Sequence, residues 1–187
     1  MRISYNSPVI LTLTIVCVGI LFLDSLLAGT VIRSFFTVYP SFSFVNPLDY
    51  LRIFSHALGH ANWTHLLSNF TFILLLGPIL EEKYGSKPLL VMMFVTASIT
   101  GVLNVLFFST GLLGASGIVF MLIILSSITN IQKGEIPLTF ILISALFLGK
   151  EVLDAFKADN VSQFAHVIGG VCGGVFGLNY TRKNKTE

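Results

Sequence analysis

Three polar residues stand at matching positions inside long apolar segments of this 187-residue chain: His65, Ser116 and His166. Each lies 16 or 17 residues before the first charged residue at the far end of its own segment. A helix rises about 1.5 Å per residue, so all three lie roughly 24–26 Å from that end of a hydrocarbon layer about 30 Å thick. Polar groups are costly inside a membrane and mark function there. The counts predict that a serine and two histidines meet at one depth.

Ser116 and His166 can supply a nucleophile and a base. A serine hydroxyl becomes reactive when a neighbouring base removes its proton, and neutral imidazole, with a pKa of about 6.5, suits that task. Acyl transfer also needs hydrogen-bond donors for the oxyanion of the intermediate. His65 and Asn69 share one helix face, and the backbone N–H of Ser116 is a third candidate donor. The residues predict acyl transfer, although no carboxylate lies within a helical turn of His166 to orient it.

Charge-free segments must position these residues. The chain is 54% hydrophobic and 11% charged, with a mean hydropathy of +0.86, whereas soluble domains carry roughly 25% charged residues. A membrane helix needs about 20 mostly apolar residues, and the five charge-free runs of the chain are interpreted as its membrane spans, the longest of them breaking into a helical hairpin near 109–114. The sequence predicts an all-α polytopic membrane protein, a single domain over 1–187 with six transmembrane helices near 8–28, 63–81, 88–108, 116–131, 136–150 and 160–180.

The fourth predicted helix is short, because it begins at Ser116 and the segment 108–115 must fill the remaining depth. Irregular backbone at membrane depth is buried in protein or lines a water-filled cavity, so we expect an aqueous pocket beside Ser116. The sixth helix carries a small face that lets another helix approach closely. Its residues, spaced by four, are Gly169, Gly173 and Gly177. If this face packs on the fourth helix, His166 comes within reach of Ser116.

Positive charges favour a topology with both termini in the cytoplasm, because seven lysine and arginine residues then lie inside and four lie outside. This topology puts inside Arg2, Lys83, Lys87, Lys133, Arg182, Lys183 and Lys185, and outside Arg33, Arg52, Lys150 and Lys157. The first apolar run exceeds the signal-peptide core of about 7–15 residues, so we expect an uncleaved helix. The aromatic-rich segment 29–62 is expected at the membrane interface. A net charge of +2 without a basic stripe argues against a nucleic-acid partner.

Other polar residues allow alternative interpretations. His56 and His60 lie four residues apart, but Ala57 stands where the glutamate of a zinc-binding HExxH motif would be. We therefore expect these histidines to pack within a loop and predict no metal site. The role of Asp24 stays open between an intramembrane acid and a solvated group at the end of the first helix.

The ordered motifs of the chain resemble those of the rhomboid family of intramembrane serine proteases. The resemblance covers roughly residues 48–180 and is far more specific than any one motif. It consists of Arg52, of His56-Ala57-Leu58-Gly59-His60 with His65 and Asn69, of Glu81 with Gly85, of Gly114-Ala115-Ser116-Gly117, and of Ala165-His166 with Gly169 and Gly173. The family often has tyrosine four residues after the serine, where this chain has Phe120. A phenyl ring can still stack beneath the imidazole.

The resemblance implies a nucleophile at Ser116, a general base at His166, and an oxyanion hole formed by His65, Asn69 and the Ser116 N–H. It implies supporting roles for Phe120, Gly114, Gly117, Arg52, Glu81, Gly169 and Gly173. It also implies single-pass transmembrane proteins as substrates, a lipid bilayer as surroundings, and neither metal nor cofactor. We expect an intramembrane serine endopeptidase of a bacterial inner membrane, since the short chain shows no transit peptide. The alternatives are a catalytically inactive relative that binds transmembrane helices and a small transporter; substrate and oligomeric state stay open.

Overall fold

The computed structural model describes residues 4–131 and 160–184, together with the isolated positions 138, 141, 142, 145, 146 and 149. The two described ranges form the helices α1 (Pro8–Leu26), α2 (Thr30–Phe35), α3 (Pro47–Ser55), α4 (Trp63–Tyr84), α5 (Ser86–Phe107), α6 (Ser116–Ile131) and α7 (Asn160–Asn184), with a 3-10 turn at His56–Leu58. This confirms the predicted all-α class. The predicted fifth span near 136–150 lies outside these ranges and stays a prediction, as does the single-domain organisation.

Within the described part of the chain, three helices are long and apolar enough to cross a membrane: α1, α4 and α5, with 19, 22 and 22 residues. Shorter apolar stretches, Ser116–Ile128 and Phe164–Tyr180, lie in α6 and α7. The prediction of a short helix beginning at Ser116 is confirmed, because α6 has 16 residues. α1 stops at Leu26, before the predicted end near 28, because Ala28 and Gly29 adopt φ angles of 53° and 78° that turn the chain toward α2.

α6 is enclosed by the other helices of the described ranges. Its side chains Val119, Met121, Leu122 and Leu125 are 0% exposed, and α4, α5 and α7 all pack against it. A helix that is apolar all round is stable in such a central position. The first residue of this helix, Ser116, is half-buried, so the fold holds it at the centre of the bundle while leaving it partly accessible.

Glu81 joins the end of α4 to the start of α1. Its carboxylate, 4% exposed, accepts hydrogen bonds from the backbone N–H groups of Val9 and Ile10 at 3.0 and 3.1 Å and from the hydroxyl of Ser86 at 2.7 Å. The N–H groups in the first turn of a helix have no partner within that helix. Because Glu81 satisfies two of them, its charge does not end α4 near 81 as predicted, and the helix continues to Tyr84.

The connection between α1 and α4 is itself helical. Asp24 accepts a hydrogen bond at 2.8 Å from the backbone N–H of Ile32 in the first turn of α2, which gives this carboxylate a capping role that the sequence left open. Phe44 and Val45 are 82% and 92% exposed. The location of this segment at the membrane interface stays a prediction.

Candidate active site

The crossing of α6 and α7 brings Ser116 and His166 to one place. A β-carbon on Gly169 would collide with the carbonyl oxygen of Gly117, and one on Gly173 would collide with that of Met121. The two backbones are therefore in direct contact, as the small face of α7 allows, and α6 is the helix on which this face packs. Ser116 is the residue before Gly117, and His166 lies one helical turn before Gly169.

The imidazole of His166 stacks on the ring of Phe120. Their centroids are 4.3 Å apart with 11° between the planes, and the two residues are 5% and 4% exposed. Phe120 follows Ser116 by four residues, so the two side chains lie on one face of α6, one turn apart. The stack restricts rotation of the imidazole and holds its ring against α6, one turn from Ser116. Phenylalanine therefore makes the ring contact for which tyrosine is common at this position.

His65 and Asn69 border the backbone just before Ser116. A β-carbon on Gly114 would lie 2.8 Å from Nε2 of His65 and 3.8 Å from Nδ2 of Asn69. Gly114 has a φ of 113°, a conformation that favours glycine. The Nδ2 group of Asn69, in a side chain only 3% exposed, has no hydrogen-bond partner among the described residues. A buried amide without a partner is costly, so this N–H₂ group is suited to receive an oxygen of a bound molecule.

The hydrogen bonds of His65 indicate which of its nitrogens carries the proton. Its Nδ1 lies 3.5 Å from the backbone nitrogen of Ala61, whose N–H donates to it. In neutral imidazole one nitrogen accepts and the other donates. Since Nδ1 is the acceptor, Nε2 carries the hydrogen, and this is the nitrogen that borders Gly114. His65 can therefore donate toward the backbone next to Ser116.

Three elements hold the irregular segment that precedes α6. The N–H of Gly114 donates to the carbonyl of His56 at 2.9 Å, and Leu112 exchanges backbone hydrogen bonds with Val38 at 2.9 and 3.0 Å. Asn104, 0% exposed, donates from Nδ2 to the carbonyl of Thr110 at 3.1 Å. Neither Asn104 nor Val38 was predicted from the sequence to support the site. An amide in the middle of an apolar run was the available signal for Asn104, whereas nothing in the sequence indicated the pairing of Val38.

His56 and His60 are buried supports of this arrangement. Nε2 of His56 donates to the carbonyl of Ala97 at 3.0 Å, and the ring of His60 packs edge-on to that of His65 at 5.1 Å. Burial lowers the pKa of His56 to about 4, and burial is also the main cause that lowers the pKa of His60 to about 4. Both are therefore neutral near pH 7. Over the described ranges no three His, Cys, Asp or Glu residues are grouped so as to hold a metal ion.

Arg52, like Glu81, has its contacts in the scaffold. Nε and Nη2 of Arg52 donate to the carbonyl of Ser34 at 2.9 and 2.6 Å, and Nη1 pairs with Asp49 at 2.6 Å. The guanidinium also lies 5.4 Å from the centre of the Tyr39 ring. Arg52 therefore ties α3 to α2, as Glu81 ties α4 to α1. These two predicted supporting residues hold helices together, while the other predicted site residues converge on the start of α6.

Comparison with known proteins gives one family and a set of bacterial relatives. The family model described as Rhomboid domain matches residues 47–183. Rhomboid protease GlpG of Haemophilus influenzae is 24% identical over 141 residues, which cover 73% of each chain. Rhomboid protease GlpG of Yersinia pestis (strain Pestoides F) is 28% identical over 177 residues, or 91% of this chain. The matched part is 62% of that Yersinia protein, so the chain spans less than two thirds of its length.

Proposed function

Because the chain belongs to the rhomboid family of membrane-embedded helical proteins, we propose that it is an intramembrane serine endopeptidase with Ser116 as nucleophile and His166 as general base. The observation that carries the proposal is the stack of His166 on Phe120, one turn of α6 from Ser116. A base held against rotation beside a partly accessible hydroxyl is what nucleophilic catalysis by serine requires.

The proposed reaction has two half-reactions. His166 takes the proton of the Ser116 hydroxyl while Oγ attacks the peptide carbonyl, and a tetrahedral intermediate forms with its charge on the former carbonyl oxygen. Collapse breaks the C–N bond, and His166 gives its proton to the leaving amine. Water then attacks the acyl-enzyme with His166 again as base, which releases the carboxylic acid and restores Ser116. The stack on Phe120 has the task of orienting the imidazole, since no carboxylate within a helical turn does so.

The oxyanion hole of the proposed mechanism comprises Nε2 of His65, Nδ2 of Asn69 and the backbone N–H of Ser116. The Nε2 group carries its hydrogen because Nδ1 accepts from Ala61, and the Asn69 amide is buried without a partner among the described residues. Donors that are already oriented stabilise developing charge without reorganisation, and removal of one such donor typically lowers kcat by about 10²–10³-fold. His65→Ala and Asn69→Ala are expected to lower kcat by that order while leaving binding of a substrate helix intact.

The substrates in this proposal are single-pass transmembrane proteins, which share the bilayer with the enzyme. A scissile bond near the start of α6 reaches Ser116 together with water, because the irregular segment before this helix interrupts the apolar packing. We further propose that both termini lie in the cytoplasm and that the membrane is a bacterial inner membrane. This agrees with the bacterial sources of the relatives and with the excess of positive charge on the inner side.

The test is cleavage of a single-pass reporter reconstituted with the purified protein in lipid vesicles. Ser116→Ala is expected to abolish cleavage, and Ser127→Ala, a half-buried serine three turns along the same helix, is expected to retain it. A fluorophosphonate probe should label the unmodified protein and the Ser127→Ala variant, and should leave Ser116→Ala unlabelled. Cleavage that persists without Ser116 would refute the mechanism. Binding of transmembrane helices without labelling or cleavage would identify an inactive relative, and solute flux indifferent to Ser116→Ala would identify a transporter.

A further inference from the structure

An apolar furrow runs between α1 and α5 on the outside of the bundle. Its cavity measures about 500 Å³, within the range of about 300–1,000 Å³ typical of sites for small ligands. The main apolar residues that line it are Val9, Leu13, Val16, Leu58, Leu90 and Met93. Val16 and Leu90 are 39% and 54% exposed, so the furrow opens sideways. Since α1 and α5 are both long and apolar enough to span a membrane, it opens toward lipid chains.

Among the described residues that line the furrow, none offers a free side-chain polar group to an occupant. Thr12 and Ser86 are the residues of its lining that carry hydroxyl groups. The Thr12 hydroxyl shares a 2.9 Å hydrogen bond with Tyr5, and the Ser86 hydroxyl donates to Glu81 at 2.7 Å. A polar ligand would have to lose water there without gaining partners, which is unfavourable. The lining therefore selects an apolar occupant.

The length of the furrow matches one leaflet of a bilayer. A second cavity of about 150 Å³ continues it along α5 as far as Ala97, sharing Leu13, Leu58, Leu90 and Met93 with the first. From Ser86 to Ala97 the helical rise amounts to about 16 Å, close to half of a hydrocarbon layer about 30 Å thick. The two volumes over this length give a mean cross-section of about 40 Å², roughly half that of a helix about 10 Å wide. An extended hydrocarbon chain fits this space, which is too narrow to enclose a helix from another protein.

The inner end of the furrow reaches the supports of the candidate active site. Ala57 and Ile118 line the second cavity. Ala57 belongs to the turn in which the carbonyl of His56 accepts the hydrogen bond from Gly114, and Ile118 lies two residues after Ser116. An occupant of the furrow would fill the space behind this turn, where an empty volume would deprive the lining side chains of contacts.

We propose that the furrow between α1 and α5 binds one acyl chain of a membrane phospholipid, drawn from the leaflet at which these two helices begin. The chain lies along α5 from Ser86 toward Ala97 and packs behind the turn His56–Leu58. Lys87, exposed next to Ser86, supplies positive charge at the end where the phosphate of the lipid lies. This site is separate from the proposed peptidase chemistry and does not depend on it.

The test is photo-cross-linking of the full chain carrying Ser116→Ala, so that its result is independent of cleavage. The protein is reconstituted in vesicles of phosphatidylethanolamine and phosphatidylglycerol that contain a trace of phospholipid with a diazirine in its acyl chain. After irradiation, labelled residues are mapped by mass spectrometry. The furrow sides of α1 and α5 should be labelled at least threefold more than lipid-exposed positions such as Leu67 of α4 and Leu178 of α7, both 62% exposed.

Matched variants decide whether the furrow is the site. Leu90→Trp fills it from α5 and Leu13→Trp fills it from α1, whereas Val91→Trp adds the same side chain at a neighbouring position of α5 that is 52% exposed and outside the lining. We expect the first two to lower furrow labelling several-fold and Val91→Trp to leave it unchanged, with labelling at Leu67 and Leu178 reporting that each variant is folded. Uniform labelling of all exposed faces, equal effects of Leu90→Trp and Val91→Trp, or cross-links to a second copy through the furrow would each overturn the proposal.

Discussion

Replacement of Gly169 by alanine tests whether the contact of α6 with α7 positions His166. The added methyl group would collide with the carbonyl oxygen and carbon of Gly117, which are backbone atoms and cannot rotate away as a side chain can. The substitution must therefore move one helix relative to the other. Gly174→Ala is the matched control on the same helix, because nothing lies within 4 Å of a β-carbon there.

The size of the effect follows from this geometry. To restore an ordinary contact of about 3.5 Å, the helices must separate by about 1 Å or more at the level of Gly117. Overpacking of this kind lowers the free energy of unfolding by about 1–3 kcal/mol, which a gain in helix propensity of up to about 1 kcal/mol partly offsets. A misplacement of about 1 Å in a catalytic group lowers the rate by about 10²-fold, or about 2.7 kcal/mol in activation free energy. We therefore expect Gly169→Ala to lose about 10²-fold in rate while a net loss of at most about 3 kcal/mol in unfolding free energy leaves the protein folded.

The assay compares kcat for a transmembrane reporter in vesicles with the unfolding free energy measured by SDS titration for each variant. Gly169→Ala is expected to lower kcat about 100-fold while the protein stays folded, and Gly174→Ala is expected to change neither quantity appreciably. Equal kcat values for the two variants would refute the argument that this glycine contact positions His166. A loss of kcat fully explained by a loss of folded protein would refute the positioning role while retaining the packing role.

Three further outcomes are expected. Phe120→Leu removes a ring stack worth about 0.5–1.5 kcal/mol and should lower kcat about 3- to 10-fold with KM unchanged. Phe120→Tyr keeps the ring and should retain activity. An equal loss of kcat in both variants would exclude stacking as the cause. Glu81→Gln replaces a buried carboxylate that accepts three hydrogen bonds and should lower the unfolding free energy by about 1–3 kcal/mol. The matched control Glu82→Gln changes an exposed carboxylate and should lower the unfolding free energy by less than about 0.5 kcal/mol. His56 has a folded pKa of about 4 against an ordinary value of 6.5, so the unfolded chain binds its proton first. Its stabilising contribution is complete above about pH 6.5 and falls by up to about 3 kcal/mol as the pH drops to about 4. The slope of unfolding free energy against pH in this window should be smaller in His56→Gln, and an unchanged slope would contradict the assignment.

Much of the candidate site was predictable from the sequence because depth in a membrane can be counted. Ser116, His65 and His166 lie at equal helical distances from the charges that end their segments, and the structure brings all three to the start of α6. The glycine spacing also predicted that another helix approaches this face of α7 closely, but only the structure identified that helix as α6. The roles of these residues in catalysis stay a proposal until the Ser116→Ala experiment is done.

Hydrogen bonds outside the regular pattern of helices were not predictable, whether the partners lie 6 or 72 residues apart in sequence. Asp24 as a cap of α2, Glu81 as a cap of α1, and Asn104 as an anchor of the segment before Ser116 all depend on which polar group the fold presents at short range. The same holds for the exchange of hydrogen bonds between Val38 and Leu112. Carboxylate and amide side chains can form hydrogen bonds with many different groups, so the residue type alone does not determine the partner.

The sequence by itself determined that this is a polytopic helical membrane protein with polar residues at a common depth. Within hydrocarbon the backbone must form helices or closed barrels, and polar side chains are too costly to occur there unless they have a function. The tertiary structure alone decided how those residues face each other. The stack of His166 on Phe120, the proton on Nε2 of His65 and the unpartnered amide of Asn69 each depend on rotation about a helix axis and on a neighbour supplied by another helix. Depth is a property of one helix, whereas orientation is a property of packed helices.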